Sequence, residues 1–220
     1  MKSMTYMKVL FMAILASLLV GSVYAIPVTS LTGGTVIPMP AVNYFGAGPQ
    51  TFGPGITWSS TNANSQGGSV FGFTGGYGFS GNGEWNGALG PMAGLNWPVG
   101  TMTYAFSKPI TGVGGFINYA TGYGETPTIA VYDSKMNLIE SSTFSFTTGG
   151  GENTGEFHGF LESSPIISYF TITDSYIGVV NLTTIGGKGP VNAPEFPSTL
   201  LPLTMIIGFL GAVLVIKKTR

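Results

Sequence analysis

The 220-residue chain combines 44% hydrophobic residues with only 8% charged ones, about a third of the roughly 25% found in an ordinary soluble domain. Eight Lys and Arg against nine Asp and Glu leave no basic surface for a nucleic acid, and the lack of Cys excludes a disulfide framework, thiol chemistry and a thiolate zinc site. A mean hydropathy of +0.35 calls for segments destined for lipid.

Residues 1–25 have the layout of a signal peptide. Lys2 and Lys8 form a positive start. Val9 to Val20 is apolar except for Ser17. Val23-Tyr24-Ala25 is a small-x-Ala site, so cleavage is predicted between Ala25 and Ile26. The alternative is an uncleaved anchor, but the apolar run is shorter than the roughly 20 residues a span needs.

Residues 26–185 are predicted to form one extracellular domain. Its first part, Gly33 to Gly100, is rich in Gly, Ser and Asn. Phe52, Trp58, Phe71, Phe73, Tyr77, Phe79, Trp85 and Trp97 supply too much apolar surface there for a disordered tract. SVFGFTGG and YGFSGNG read as two short strands around Gly75-Gly76. From Thr101 onward apolar residues alternate with small or polar ones: Met102, Tyr104 and Phe106; Ile129 and Val131; Phe144 and Phe146; Phe170 and Ile172. That period of two means strands with one buried face. Asp133 to Asn137 reads as a hairpin loop, and Gly149-Gly150-Gly151 and Asp174-Ser175 end further strands. The predicted fold is all-β, a jelly-roll-like antiparallel β-sandwich of about eight to ten strands, with a barrel as runner-up. It is flanked by an N-terminal signal helix and a C-terminal transmembrane helix.

Residues 186–193 lack apolar content and read as a linker. Pro194-Glu195-Phe196-Pro197 follows, and then 198–216, which carries no charge. At about 1.5 Å per residue this run reaches roughly 28 Å, close to the thickness of a bilayer's hydrocarbon. Lys217, Lys218 and Arg220 form a stop-transfer tail that holds this end in the cytoplasm and leaves the bulk of the chain outside. The terminal position and basic tail argue against a buried core helix. Five of the eight basic residues lie in these two ends. The exported part keeps Lys108, Lys135 and Lys188 against nine acids, a formal charge of −6. This disfavours anionic partners and suits neutral sugars or cations.

Chemistry is sparse. His158 is the only His, and strand alternation places it on one face with Glu156. No Gly-x-Ser-x-Gly elbow accompanies it. Glu152, Glu156 and Glu162 are close in sequence, but no spacing sets two carboxylates across a cleft as glycoside hydrolysis requires. The expectation is a protein that is not an enzyme. Structural calcium would fall to Glu84, Asp133 or Asp174, which lack the spacing of a known calcium loop and equally suit turns. For sugar stacking the candidates are Trp58, Trp85 and Trp97, each of which could equally be a core residue. Trp85, between Asn82 and Asn86 in a Gly/Asn loop, is the predicted exposed one, with the two amides as hydrogen-bonding partners. Asn181-Leu182-Thr183 is an N-glycosylation sequon within a predicted strand.

The tripartite end, a Pro-Glu-Phe-Pro motif, a single span and a basic tail, resembles the PEF-CTERM sorting signal of archaeal surface proteins. That signal is similar to the bacterial PEP-CTERM signal. The resemblance implies an archaeosortase-type transpeptidase as partner. It would recognise Pro194, Glu195 and Phe196, cut near them, discard the span and attach the mature protein to a lipid of the membrane. Without such processing, 198–216 stays as a permanent anchor. Thr101 to Thr184 resembles an extracellular β-sandwich carried by many PEP-CTERM proteins, in the run YAFSKPITGVGGFINYATG, PTIAVYDSKMNLIES, ENTGEFHGF and PIISYFTITDSYIGVVNLTTI. It implies a fold similar to galactose-binding-like jelly rolls and no particular activity. Together these features imply a membrane-sorted cell-surface protein, structural or adhesive in the envelope or extracellular matrix. The alternative is a surface carbohydrate-binding module, and a hydrolase has the least support.

Overall fold

A computed structural model describes residues 25–62 and 68–186. The signal segment up to Tyr24, most of the linker, the Pro194–Pro197 motif, the 198–216 run and the basic tail lie outside the described residues. Among the described residues no helix is long and apolar enough to cross a membrane.

In chain order the strands are β1 (Ile26–Val28), β2 (Thr35–Val36), β3 (Tyr44–Phe45), β4 (Gln50–Gly53), β5 (Ile56–Ser60), β6 (Ser69–Phe73), β7 (Tyr77–Gly78), β8 (Glu84–Trp85), β9 (Met92–Leu95), β10 (Thr101–Ile110), β11 (Gly112–Asn118), β12 (Thr128–Tyr132), β13 (Leu138–Thr143), β14 (Glu156–Leu161), β15 (Ile167–Thr173) and β16 (Gly178–Ile185). One sheet runs β1-β14-β11-β16-β9-β6-β3, with β2 also on β16. The other runs β13-β12-β15-β10-β5-β4, and β7 and β8 form a separate ribbon. Every pairing between these strands is antiparallel. The antiparallel sandwich expected from the alternation is present. The strand number exceeds the expected eight to ten because the Gly-rich stretch supplies β2 to β9, most of them very short.

The alternation works as the hydrophobic effect requires. Along β10, Met102, Tyr104 and Phe106 are buried while Thr101, Thr103 and Ala105 are half-buried. These three meet Ile129 and Val131 of β12, Phe170 and Ile172 of β15, and Phe71, Leu95, Val113, Ile117 and Val179 of the opposite sheet in one core. Phe144 and Phe146 depart from expectation. Strand β13 ends at Thr143, and both rings stack on His158 outside the ladder. The three glycines 149–151 belong to the long connection that follows rather than to a strand end.

A second, smaller core lies on the other face of the first sheet. Val70, Met92 and Val180 are covered there by Phe79 and Trp85. Phe79 immediately precedes the 3-10 turn Ser80–Asn82, and Trp85 belongs to β8 of the ribbon, so this segment lies over that face.

The registers give the sandwich two distinct ends. Thr101 pairs with Thr173, which pairs with Thr128, and Asn118 pairs with Gly178. The connections 96–100, 119–127, 144–155 and 174–177 therefore gather at one end, here the loop end. At the other, the base, Ile26 pairs with Leu161, Leu161 with Gly112, and Gly112 with Ile185. The first described strand thus begins, and the last one finishes, at the same end of the sheet, with β14 and β11 between them.

Glu162, just past β14 at the base, is buried among the described residues and neither carboxylate oxygen has a well-formed hydrogen bond. Burial pushes its carboxyl above the usual carboxylate range, the adjacent Ser163 N–H offsets part of this, and Glu140 adds to it. A raised folded-state value means that Glu162 contributes stability below its unfolded pKa and loses it as pH rises through the folded value. Glu162→Gln is therefore expected to raise the melting temperature at neutral pH. The gain should vanish in acid, where the wild-type carboxyl is protonated in both states. Thermal melts of both proteins across pH 3–8 check this.

Candidate functional site

The residues singled out for sugar contact do something else. Trp85 is only 2% exposed. Its indole Nε1 donates to the Thr154 carbonyl at 2.7 Å. Its ring meets Phe79 edge-on at 4.8 Å and stacks on Phe116 at 6.3 Å. Asn82 is buried as well. Its Nδ2 donates to Asn118 Oδ1 at 3.0 Å and to the Tyr119 carbonyl at 3.1 Å, and its Oδ1 accepts from the Thr148 N–H at 2.7 Å. Asn86 is exposed but engaged. Its Nδ2 donates to Glu152, its N–H to Asn153 Oδ1 at 3.1 Å, and its Oδ1 accepts from the Ala88 N–H at 2.9 Å. The expected sugar platform is thus a clamp that fastens the 149–155 loop and the ribbon to the first sheet. The physical reason is the sheet's apolar outer face, which Phe79 and Trp85 cover with Phe73, Tyr77 and Leu89 packed against them.

Of the three Trp residues, Trp58 is buried and Trp97 is 49% exposed. Trp97 stands at the loop end, as does Tyr123, also 49% exposed. Tyr123 meets Tyr176 edge-to-face at 5.9 Å. Three loops carry these rings and are bonded to one another. Asp174 N–H donates to the Gly100 carbonyl at 3.0 Å, and Asp174 Oδ1 accepts from the Gly100 N–H at 3.0 Å. Ser175 N–H donates to Pro98 at 2.8 Å and Tyr176 N–H to Trp97 at 3.3 Å. Ser175 Oγ donates to the Glu125 carbonyl, and Ala120 N–H donates to Ser175 O at 2.9 Å.

This knitting holds an unfavourable backbone. Asp174, Ser175 and Tyr176 have φ of +69°, +60° and +48°. For residues with a Cβ, the left-handed region costs about 1–2 kcal/mol each, so the hydrogen bonds to 97–100 and 125 must hold the turn. Gly124 has φ of +74°, and a Cβ placed there would lie 1.9 Å from the Pro98 carbonyl oxygen. Glycine is thus required where the Tyr123 loop meets the Trp97 loop.

Two small clefts open at the loop end; Tyr123 and Tyr176 line the second, and Trp97 lines neither. One, of about 230 Å³, is lined by Tyr119, Thr121, Glu125, Thr126, Phe144 and Ser175 among others. The other, of about 170 Å³, is lined by Gly78, Ser80, Ala120, Tyr123 and Tyr176. Both are below the roughly 300–1,000 Å³ of enclosed small-molecule sites. Exposed ring faces beside hydroxyls, a carboxylate and backbone carbonyls can pack on C–H surfaces and bond to hydroxyls at their edges. Trp97 was legible in retrospect: Asn96-Trp97-Pro98-Val99-Gly100 joins two strands with Pro and Gly, which is turn chemistry.

His158 Nε2 lies 3.2 Å from Glu156 Oε2, as the shared strand face predicted. The imidazole stacks on Phe144 at 4.7 Å and Phe146 at 5.4 Å. Burial lowers its pKa below the ordinary value, and Glu156 opposes part of that shift. This is a packed ring rather than a base beside a nucleophile. Glu152 and Glu156 sit toward the loop end and Glu162 at the base, so these three acids do not converge on one cleft.

Among the described residues no three His, Asp or Glu side chains cluster as metal ligands would. Asp133, at the base, accepts from the Lys135 N–H at 2.8 Å, the Asn137 N–H at 2.9 Å and Asn137 Nδ2 at 2.8 Å. These bonds hold its carboxyl below the usual carboxylate range and make the expected hairpin loop. Asp174 caps the Gly100 amide, and Glu84 is exposed on β8. At the predicted cleavage site Ala25 is buried and Ile26 is exposed at the start of β1.

No protein-family model and no curated protein matches the chain. Solved structures similar to it include a Streptococcus pneumoniae fucose binding module, at 7% identity and a TM-score of 0.36, covering 60% of this chain and 93% of that one. Another is the family 32 CBM from C. perfringens NanJ in complex with galactose, at 14% identity and a TM-score of 0.35, covering 64% and 98%. A third is the lectin binding domain of Lectinolysin complexed with Lewis b, a His 62 mutant, at 6% identity and a TM-score of 0.33, covering 59% and 91%.

Proposed function

We propose that this chain is an exported cell-surface protein whose non-catalytic β-sandwich binds neutral carbohydrate through its loop end. The observation that carries this is the placement of the exposed Trp97 and Tyr123 and the half-buried Tyr176 on three mutually bonded loops, with Tyr123 and Tyr176 lining one small cleft and Thr121, Glu125 and Ser175 lining another at the same end. Solvent-exposed rings fixed on a stiff platform lose little freedom on binding. Glu125, Glu152 and Glu156 are exposed toward this end, whereas Lys108 and Lys135 lie toward the base. Anionic sugars are therefore disfavoured relative to neutral ones.

The two ends of the domain support surface display. Ile26 and Ile185 both lie at the base, with Leu161 of β14 and Gly112 of β11 between them. A tether that leaves after Gly186 starts from the base, and the binding loops are at the far end of the sandwich. The sorting signal at Pro194–Pro197, an archaeosortase-type transpeptidase and a membrane-held product belong to the same proposal. Intact-mass spectrometry of the mature protein tests it. A product that begins at Ile26 and lacks Arg220 is expected; one that retains an unmodified Arg220 contradicts sorting.

Binding is tested by titrating neutral and acidic polysaccharides against the wild type and the Trp97→Ala and Tyr123→Ala variants. Neutral polymers are expected to bind, and each variant to lose about 10-fold or more, since central aromatic contacts are worth roughly 1–2 kcal/mol or above. Full binding by both variants would move the site elsewhere. No binding to any carbohydrate would favour the second reading, adhesion to protein. The exposed Phe45 of the edge strand β3 and the exposed Val42 just before it are the observation behind that reading.

A further inference from the structure

The sequon Asn181-Leu182-Thr183 lies in β16, a strand with neighbours on both sides in the first sheet. Val179 and Leu182 both belong to the main core. Strict alternation from Val179 would aim residue 181 inward too, where an unpaired amide is costly. The chain avoids this with a two-against-one bulge. Gly114 pairs with Thr183 and Phe116 with Val180, so two steps along β11 match three along β16. Asn181 has φ of +53°, a conformation Asn tolerates better than most residues, and its side chain is exposed.

On the other edge of β16 the Ile37 N–H donates to the Leu182 carbonyl at 2.8 Å, which leaves Val180 and Asn181 between the two neighbouring strands. Strand β9 pairs only with Gly178 and Val179, and β2 only with Thr183 and Thr184. The Asn181 carbonyl accepts the Thr183 hydroxyl at 2.9 Å, while the Asn181 amide group makes no hydrogen bond among the described residues.

From this geometry we infer that Asn181 is a glycan attachment site, the only Asn-x-Ser/Thr sequon in the chain. The donor class is an oligosaccharide carried on a lipid phosphate. The Asn181 Nδ2 attacks C1 of the first sugar and the C1–O bond to the phosphate breaks. The phosphate leaves with that electron pair, and Nδ2 gives up one proton. Thr183 is buried in the finished fold, so transfer precedes the docking of β16. This order is natural for the last strand of the domain to be synthesised. The bulge then carries the sugar on the outside, in a strand where an inward residue could not accommodate it.

The inference rests on export but not on carbohydrate binding. Its test is peptide and intact-mass spectrometry of the full chain purified from the cells that make it. A sugar mass on the peptide containing Asn181 is expected, abolished in Asn181→Asp and Thr183→Ala and retained in Thr183→Ser. A chain cut before Ile26 with bare Asn181 overturns the inference and leaves export standing. An uncut chain with bare Asn181 overturns both. A sugar on Asn181 that persists in Thr183→Ala contradicts transfer through the sequon.

Discussion

Trp85→Ala is expected to destabilise the domain by about 3–5 kcal/mol, the usual cost of removing a large buried aromatic. The indole fills the smaller core between Phe79 and Phe116 and anchors the Thr154 carbonyl through Nε1. Its loss leaves a cavity and an unmet carbonyl together. For a domain of this size the melting temperature should fall by about 10 °C. Trp85→Phe should recover much of the packing but not the hydrogen bond, and fall between. Because Trp85 is buried against Phe79 and Phe116 and lines neither loop-end cleft, the remaining folded fraction should bind carbohydrate with unchanged affinity. Calorimetric melts measure the first effect and titration below the melting range the second. A variant as stable as the wild type but unable to bind would restore Trp85 as the sugar contact and contradict its burial.

Asn82→Ala should cost about 3 kcal/mol or more. One side chain here satisfies Asn118 Oδ1, the Tyr119 carbonyl and the Thr148 N–H. Each buried group left without its partner costs about 1–3 kcal/mol. Asn118 answers by donating its Nδ2 to the Asn82 carbonyl at 2.9 Å, and the Thr148 hydroxyl donates to the same carbonyl. The variant therefore disrupts a network rather than one bond. Asn82→Asp has nearly the same shape but puts a second acceptor against Asn118 Oδ1 and the Tyr119 carbonyl, so it should be no better tolerated at neutral pH. Urea denaturation reads both, and faster hydrogen exchange at the Thr148 amide would locate the damage. A loss under about 1 kcal/mol in Asn82→Ala would show that the network does not hold these loops.

The contrast between the two halves of the domain explains what was legible in the sequence. From Thr101 the strands bury one face each, so Met102, Tyr104 and Phe106 announce their sheet by alternation alone. Strands β6 and β9 are buried on both faces, by the sandwich core and by the ribbon. Alternation is erased there; SVFGF reads as a short strand from the Gly-Gly turn beside it and is β6, whereas MAGL carries no period to read. Trp85 was misplaced for the same reason. Gly and Asn around it correctly indicate a turn-rich segment, but whether such a segment stands in water or lies on a sheet depends on what that sheet leaves uncovered. Trp97, between Pro98 and a strand end, had the stronger loop signature. Phe144 and Phe146 alternate as a strand would, yet the 144–155 connection follows Thr148 to Asn82 and leaves the ladder. The bulge at Asn181 is a matter of register between β11 and β16, which local composition does not encode.

The central claim, that sugar is held by exposed aromatics at the loop end, has a direct readout in the three indoles of this chain. In a nitrogen–proton correlation spectrum each indole N–H gives its own signal. Assignment follows from single Trp→Phe variants. On titration with a neutral oligosaccharide the Trp97 signal is expected to move, while those of the buried Trp58 and Trp85 stay in place. Movement confined to Trp85, or saturable binding with Trp97 unmoved, would contradict the account.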